Sequence, residues 1–271
     1  MDLAELIDDA TSLMPRERMV FLNEKKITVI GDLHADIETL KIIEKNIEGY
    51  AVFLGDYADR GDYPIECYTR ILNLFVNGKA LLLRGNHEST GVYPHQLPHQ
   101  LEKKLGDDGK EIYEMLVKLW QKMPISAIVE GEIWLAHGGV PTKKCKIDEE
   151  GLRFSEISKP DDYTALEIMW NDPWERRECG ENYNRGVMYF YGKNASDILL
   201  SELNVKVIIR SHEPDKVLKV EQDGRVVTVG SCANPYSIDE FAILQIDLTK
   251  DFRDGWDIAN KFGIRFSIYN V

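Results

Sequence analysis

Short apolar runs, each followed by a small polar cluster, recur along the chain. The runs are rich in Val, Ile and Leu without strict alternation, which is typical of strands buried on both faces of a sheet. They lie at residues 27–30, 51–54, 80–83, 133–136 and 205–209. Segments of helical period separate the first three runs, at residues 36–47 and 64–76. Because these segments are long enough for crossover helices, the pattern predicts a β-α-β-α-β beginning.

The segments before and after this region follow other periods. Residues 217–229, with a turn at Asp223-Gly224, and residues 241–248 alternate like antiparallel strands. Residues 3–23 alternate apolar and charged positions at helical spacing with a break near Pro15, and they predict two short amphipathic helices. We therefore expect an α/β (α+β) fold in which two mixed β-sheets form a sandwich flanked by helices.

The size and composition of the chain favour a single domain. With 271 residues, of which 44% are hydrophobic, the chain can form one large core. It contains no internal repeat, low-complexity tract or obvious linker that would divide it. We expect one catalytic domain over residues 1–271, on which residues 1–25 pack as an N-terminal helical segment.

Charge and cysteine usage exclude several classes of protein. A net charge of −13 disfavours binding to nucleic acid or an anionic membrane, because both need clustered Lys and Arg. No apolar run approaches the ~20 residues of a membrane span, and residues 1–9 are acidic where a signal peptide would be basic, so we expect a cytoplasmic protein. The cysteines form no C-x-x-C pair, so we expect free thiols at Cys67, Cys145, Cys179 and Cys232.

The polar clusters that follow the five apolar runs carry the candidate chemistry. Each contains Asp, Asn or His, and together they hold four of the six histidines. They occupy residues 31–34, 55–61, 84–88, 136–139 and 210–213. A single cluster of this kind usually forms a turn and has no role in catalysis or metal binding. Because loops at the carboxyl ends of strands in α/β sheets converge on one crevice, however, the five together predict one site.

The residue types in these clusters favour a metal centre. Carboxylates, imidazoles and an Asn carbonyl form a mixed oxygen and nitrogen ligand set for first-row divalent ions. Two ions about 3.5–4 Å apart need a bridging ligand, and Asp56, at the end of the middle strand, is the natural carboxylate for it. Such a pair would lower the pKa of a shared water from ~15.7 towards neutrality and supply a hydroxide nucleophile. The remaining histidines, His95 and His99, lie in a Pro-containing loop and are expected to be solvated or packed.

The order of the motifs GDLHAD, GDYADRG, LLLRGNHE, LAHGG and IIRSHE resembles the calcineurin-like metallophosphoesterases, and within them the PPP family of serine/threonine protein phosphatases. The resemblance runs from residue 26 to residue 236, and residues 123–128, 169–173 and 184–187 are similar to the protein-phosphatase branch. The chain departs from the family pattern at Ala35, at Ala58 and in residues 231–236. The resemblance implies a metal-dependent phosphatase that hydrolyses phosphoserine and phosphothreonine monoesters in proteins.

The resemblance also implies residue roles. The two metal ions would be held by six side chains, namely Asp32, His34, Asp56, Asn86, His137 and His212, with Asp56 shared between them. Manganese is the expected ion in vitro, and Fe, Zn, Co or Ni also suit these ligand types. His87 would be the general acid, with its imidazole oriented by Asp59. Substrate contacts would come from Arg60, Arg185, Asn86 and Tyr236.

Three other functions compete with this interpretation. A dinucleoside-polyphosphate hydrolase of the same superfamily would use the same motifs on phosphoanhydrides. A cysteine-dependent phosphatase is suggested by the C-x5-R spacing of Cys179 and Arg185, but residues 174–178 are charged and turn-like where such a loop follows a strand. A non-catalytic scaffold would have lost ligands, whereas all six and His87 are present.

Overall fold

The computed structural model describes residues 2–186 and 188–269, so Val187 of the 184–187 motif lies outside the described residues. Among these residues, no helix is both long and apolar enough to cross a bilayer. The α-helices are α1 (Leu3–Leu13), α2 (Ile37–Lys45), α3 (Pro64–Val76), α4 (Leu97–Leu105), α5 (Asp108–Lys122), α6 (Ile147–Glu150), α7 (Phe154–Ser158), α8 (Asp162–Trp170), α9 (Lys193–Leu203) and α10 (Gly255–Phe262).

Two mixed β-sheets form the centre of the fold. The larger sheet has the strand order β1 (Met19–Phe21), β5 (Ser126–Val129), β6 (Ile133–Ala136), β10 (Val207–Arg210), β12 (Val226–Val229) and β11 (Leu218–Glu221). The smaller has the order β14 (Gly263–Ser267), β13 (Glu240–Asp247), β2 (Lys26–Ile30), β3 (Tyr50–Phe53) and β4 (Ala80–Leu82). A third, short sheet contains β7 (Asp172–Pro173), β9 (Met188–Tyr191) and β8 (Gly180–Asn182).

A layer of aliphatic side chains lies between the two main sheets. It includes Val29 and Val52 from the smaller sheet and Leu135 and Ile209 from the larger, all fully buried. Helices α2, α3 and α5 cover the outer face of the smaller sheet, and α8 and α9 cover that of the larger. Since every central strand is buried on both faces, its sequence is a continuous apolar run rather than an alternating one. The predicted sandwich of two mixed sheets flanked by helices is confirmed.

The N-terminal segment differs from the prediction. Helix α1 forms as expected, capped by Asp2 and Glu5, and packs on α3 and α5. The second predicted helix is wrong, because residues 19–21 form strand β1, which pairs in parallel with β5 at the edge of the larger sheet. The short stretch after a helix-ending proline is too brief for an amphipathic helix, and the sheet edge supplies hydrogen-bond partners distant in sequence.

The strand directions bring the five polar clusters to one end of the sandwich. Strands β2, β3 and β4 run parallel, and so do β6 and β10 in the other sheet. An isolated bridge between Asp32 and Gly230 joins the two sheets at this end. Close approach of the backbones there requires glycine at Gly31, where a Cβ would collide with the carbonyl of Val229.

Candidate active site

Asp56 lies at the centre of the converged loops. Its Oδ2 is 3.5 Å from His34 Nε2, and its Oδ1 is 3.3 Å from His137 Nε2. The two carboxylate oxygens therefore face histidines from different sheets, as a bridging ligand would. All six predicted ligands are buried here, and in this part of the chain two groups of candidate ligand atoms lie close enough to hold an ion.

The first group contains His34, Asp56 and His87, with Asp32 beside them. His34 Nδ1 is 3.0 Å from the carbonyl oxygen of Ala58, which fixes the hydrogen on Nδ1 and directs Nε2 into the centre. Asp32 Oδ1 accepts the backbone N–H of His212 at 2.9 Å, whereas the buried Asp32 Oδ2 has no hydrogen-bond donor among the described residues. A buried carboxylate oxygen without a donor fits a cation ligand.

The second group contains Asp56, His137 and His212, with Asn86 beside them. Asn86 Oδ1 lies 2.9 Å from His137 Nε2 and 3.0 Å from His212 Nδ1. His137 Nδ1 is 3.2 Å from the carbonyl oxygen of Leu54, so its Nε2 offers a lone pair to the same point. With its amide turned over, Asn86 would instead donate to these nitrogens, so a cation would select the orientation with the oxygen inward.

The electrostatics of the centre keep Asp32 ionised and His212 neutral, the forms that bind a metal ion, but favour a protonated His34 by shifting each pKa. Burial raises the pKa of Asp32, but His34 and His137 outweigh it and lower that pKa to about 2. Burial depresses the pKa of His212 well below its usual value, which keeps this imidazole neutral. Burial alone would also lower the pKa of His34, yet Asp32 and Asp56 raise it to about 9. These carboxylates thus hold positive charge at His34, and a divalent cation would displace that proton.

Backbone conformation at the centre is unusual for residues other than glycine. His34, Asp56, Asp59 and His212 all have φ between 44° and 68°, in the left-handed region. Ala35, where the family pattern has glycine, also lies in this region, with φ 57°. Such conformations cost energy and persist because surrounding contacts over-determine them, which is characteristic of functional sites.

His87 lies next to the ligand groups and is paired with Asp59. Its Nδ1 is 2.7 Å from Asp59 Oδ2, and its ring meets that of His34 edge-on with centroids 4.8 Å apart. Burial raises the pKa of Asp59, but hydrogen bonds from His87 and His95 outweigh it and hold that pKa well below its usual range. An ionised carboxylate on Nδ1 leaves His87 Nε2 available to move a proton in the crevice.

Two arginines and a tyrosine border the centre. Arg60 Nη1 donates to the carbonyl oxygen of Pro94 at 2.9 Å, and its Nη2 is 3.4 Å from His87 Nε2. Arg185 Nε donates to Asp172 Oδ2 at 2.9 Å, and its Nη2 donates to the carbonyl oxygen of His212 at 3.1 Å. The Tyr236 hydroxyl lies 3.1 Å from His34 Nε2. All the predicted site residues are therefore brought together.

Two buried acids support the site, and sequence reasoning assigned neither a role. The first is Glu88, the last residue of the LLLRGNHE motif. It accepts the backbone N–H groups of Asp56, Tyr57 and Gly85 at 2.8, 3.0 and 2.9 Å. These bonds tie the loop after β3 to the loop after β4, a link that only tertiary contacts reveal.

The second supporting acid is Asp172. Its carboxylate accepts from Arg185 and also from Arg210 Nη2, the latter at 2.7 Å. Burial raises its pKa, but His212, Arg210 and Arg185 together lower it far below the usual range. Asp172 therefore stays ionised and fixes Arg185 at the border of the centre.

The cysteines correct one expectation. Cys145 and Cys179 form a disulfide with Cα atoms 5.4 Å apart, although 34 residues separate them, so the prediction of free thiols is wrong for this pair. Cys67 and Cys232 are free and buried. The loops after β6 and before β8 bring the bonded pair together, a proximity that sequence spacing does not reveal. Since Cys179 is bonded to Cys145, it is not placed as a phosphatase nucleophile.

Comparisons with known proteins agree with this geometry. Residues 25–216 match the family model of the calcineurin-like phosphoesterases. A catalytic subunit of protein phosphatase 2A from Dictyostelium discoideum is 30% identical over 222 residues, covering 78% of this chain and 69% of the relative. Serine/threonine-protein phosphatase with EF-hands 1 of Rattus norvegicus is 29% identical over 257 residues, and the match covers 78% of this chain but only 40% of the rat protein.

A solved structure is also similar. A protein serine/threonine phosphatase from Saccharomyces cerevisiae, described as similar to human phosphatase PP5, superposes with a TM-score of 0.80 over 98% of this chain and 88% of that chain. The sequences are 21% identical, so this likeness supports the fold.

Proposed function

Because this chain belongs to the calcineurin-like phosphoesterases, and within them to the PPP serine/threonine protein phosphatases, we propose that it removes phosphate from phosphoserine and phosphothreonine in proteins. The observation that carries the proposal is the Asp56 carboxylate between His34 and His137, with the His87–Asp59 pair directly beside it. This combines a binuclear ligand set with a proton donor, the two components that phosphomonoester hydrolysis at neutral pH needs.

The ligand residues would hold two divalent ions. Asp32, His34 and Asp56 would hold one, and the other would be held by the remaining predicted ligands together with Asp56, namely Asn86, His137 and His212. When bound, the ions would act as Lewis acids on the phosphoryl group and supply a hydroxide nucleophile near neutral pH. Mn²⁺ is our proposed ion in vitro, since the ligand set has no thiolate to favour zinc.

The remaining residues act on the phosphoryl and leaving groups. Arg60 and Arg185 present planar donor groups that match the geometry of phosphoryl oxygens. His87, protonated on Nε2, donates to the serine or threonine oxygen as the P–O bond breaks, and Asp59 stabilises the imidazolium. Asp172 and the carbonyl oxygen of His212 limit the rotamers of Arg185, so less entropy is lost when it binds phosphate.

The rival activity in the same superfamily is hydrolysis of dinucleoside polyphosphates, and the similar proteins favour protein phosphatase activity over it. A direct comparison tests the proposal: the Mn²⁺-loaded protein is assayed on a phosphoserine peptide and on diadenosine tetraphosphate. We expect a higher kcat/KM on the peptide. A clear preference for diadenosine tetraphosphate would replace the proposal with the rival activity.

A further inference from the structure

A second histidine binds the carboxylate that orients the general acid. His95 Nδ1 lies 2.9 Å from Asp59 Oδ2, the same oxygen that accepts from His87 Nδ1. On the basis of the proposed function, we propose that His95 is a positioning residue, which acts through Asp59 to fix the orientation and tautomer of His87.

The carboxylate of Asp59 has a full set of donors. Besides the two imidazoles on Oδ2, its Oδ1 accepts the backbone N–H groups of Gln96 and Leu97, at 2.7 and 2.8 Å, from the start of α4. Four donors on one buried ionised carboxylate leave it no freedom to rotate. Removing the His95 donor would leave Oδ2 with His87 alone and weaken the restraint on rotation of the carboxylate about its Cβ–Cγ bond.

The hydrogen-bond partners also determine the tautomers of His87 and His95. An ionised carboxylate only accepts, so His87 and His95 must both carry a hydrogen on Nδ1. His95 Nε2 is 3.0 Å from the Tyr113 hydroxyl, and in the tautomer with the hydrogen on Nδ1 this nitrogen accepts from that hydroxyl. Tyr113, on α5, thereby holds His95 in the tautomer that serves Asp59, and the chain of contacts runs from Tyr113 through His95 and Asp59 to His87.

A purely structural role for His95 makes a different prediction. Its ring packs near those of Tyr113 and Trp120, with centroids 5.6 and 6.3 Å away. If packing were its function, phenylalanine would replace it better than asparagine. If donation to Asp59 is its function, asparagine would replace it better, because the Asn amide offers a donor close to the Nδ1 position while Phe offers none.

Kinetics on two substrates separate these roles. We expect His95→Phe to lose about 10-fold in kcat on a phosphoserine peptide, whose alkoxide leaves badly, and clearly less on p-nitrophenyl phosphate. His95→Asn should stay within about twofold of the wild type on both substrates. His99→Asn, at an exposed position, is the matched control. Equal losses on both substrates, or a Phe variant more active than the Asn variant, would overturn the proposal.

A double-mutant comparison tests whether His95 acts through Asp59. In an Asp59→Asn background, His95→Phe should cause no further loss of kcat on the phosphoserine peptide. A further loss as large as in the wild-type background would show that His95 acts by another route, and the proposal would fail.

Nitrogen-15 NMR of the metal-free protein gives a readout that does not depend on activity. We expect hydrogens on Nδ1 of both His87 and His95, and a changed His87 Nδ1 signal in His95→Phe. A His95 protonated only on Nε2 would overturn the proposal. If the wild-type protein hydrolyses neither substrate, the proposed function fails, and the NMR result still decides whether His95 binds Asp59 as inferred.

Discussion

The two halves of the site satisfy their polar groups in opposite ways. Around His87, the Asp59 carboxylate has four donors from the protein itself. Around Asp56, the side chains of Asn86, His137 and His212 converge within hydrogen-bond distance of one another, and Asp32 Oδ2 has no donor in the described part of the chain. The two regions are both buried and adjacent, yet among the described residues a carboxylate oxygen is left without a protein donor only in the region around Asp56.

This difference matches the proposed division between groups that move protons and groups that hold ions. A saturated carboxylate fixes the imidazole it touches, which suits a proton donor that must keep its orientation. Carboxylate, amide and imidazole groups that converge on one point can offer their lone pairs to a divalent cation, which suits a metal centre. We call the region around His87 and Asp59 the acid half and the region around Asp56 the ligand half. The structure of the acid half should therefore be insensitive to metal, while that of the ligand half should depend on it.

The largest expected effect comes from removing the metal. After extended chelation and removal of the chelator, hydrolysis of both a phosphoserine peptide and p-nitrophenyl phosphate should be abolished, and Mn²⁺ should restore it. Metal content is measured by mass spectrometry alongside activity. Undiminished turnover in a sample verified to be metal-free would contradict the assignment of the ligand half.

Asp56→Asn should be the most damaging single substitution, because it weakens both ion positions at once. We expect loss of bound metal and a fall in kcat beyond the ~10²–10⁴ that a general acid contributes. The exposed Asp9→Asn is the matched control and should behave like the wild type. If Asp56→Asn kept both ions and most of kcat, Asp56 would not be the bridge.

His87→Asn tests the acid half by itself. It should keep its metals and lose about 10²–10⁴ in kcat on the phosphoserine peptide, with a much smaller loss on p-nitrophenyl phosphate, whose leaving group needs no proton. The neighbouring change Asn86→Ala should instead lower metal occupancy and depress both substrates together. Equal losses of kcat on both substrates for a metal-replete His87→Asn protein would mean that bulk water, and not His87, protonates the leaving group.

The smallest of these effects is expected at the border of the site. Arg185→Gln removes charge-assisted hydrogen bonds to phosphate, each worth about 1.5–3 kcal/mol, so kcat/KM should fall about 10-fold or more, mainly through KM. Arg253, whose side chain is 84% exposed, gives the control Arg253→Gln. If the two variants had the same kinetics, Arg185 would be a surface cation that does not bind the phosphoryl group.

Much of the site was predictable because its residues follow strands that sequence patterns reveal. The runs at 27–30, 51–54 and 133–136 became strands β2, β3 and β6, and each polar cluster after them reached the centre. Buried parallel strands need continuous apolar runs, and their carboxyl ends share one edge, so local pattern and position were sufficient.

What sequence reasoning missed depends on contacts between distant segments. Strand β1 forms because an edge of the larger sheet is available, and Cys145 meets Cys179 because the fold brings the loop after β6 next to the loop before β8. Glu88 gained its role from the backbone N–H groups that surround it. His95 was expected to be solvated or packed, and its bond to Asp59 shows only when α4 and α5 are in place.

The sequence by itself determined most of the central strands and the helices between the first three of them, the ligand types at each strand end and the family to which they belong. The strands and helices follow from local periodicity, and the ligand types follow from the identities of single residues. Only the tertiary structure decided which acceptors are left facing one another and which are saturated, since that depends on the directions of side chains from distant parts of the chain. For this reason the sequence could list Asp32, Asp59 and His95, while the folded chain alone separates the carboxylate that needs a cation from the one held by two histidines.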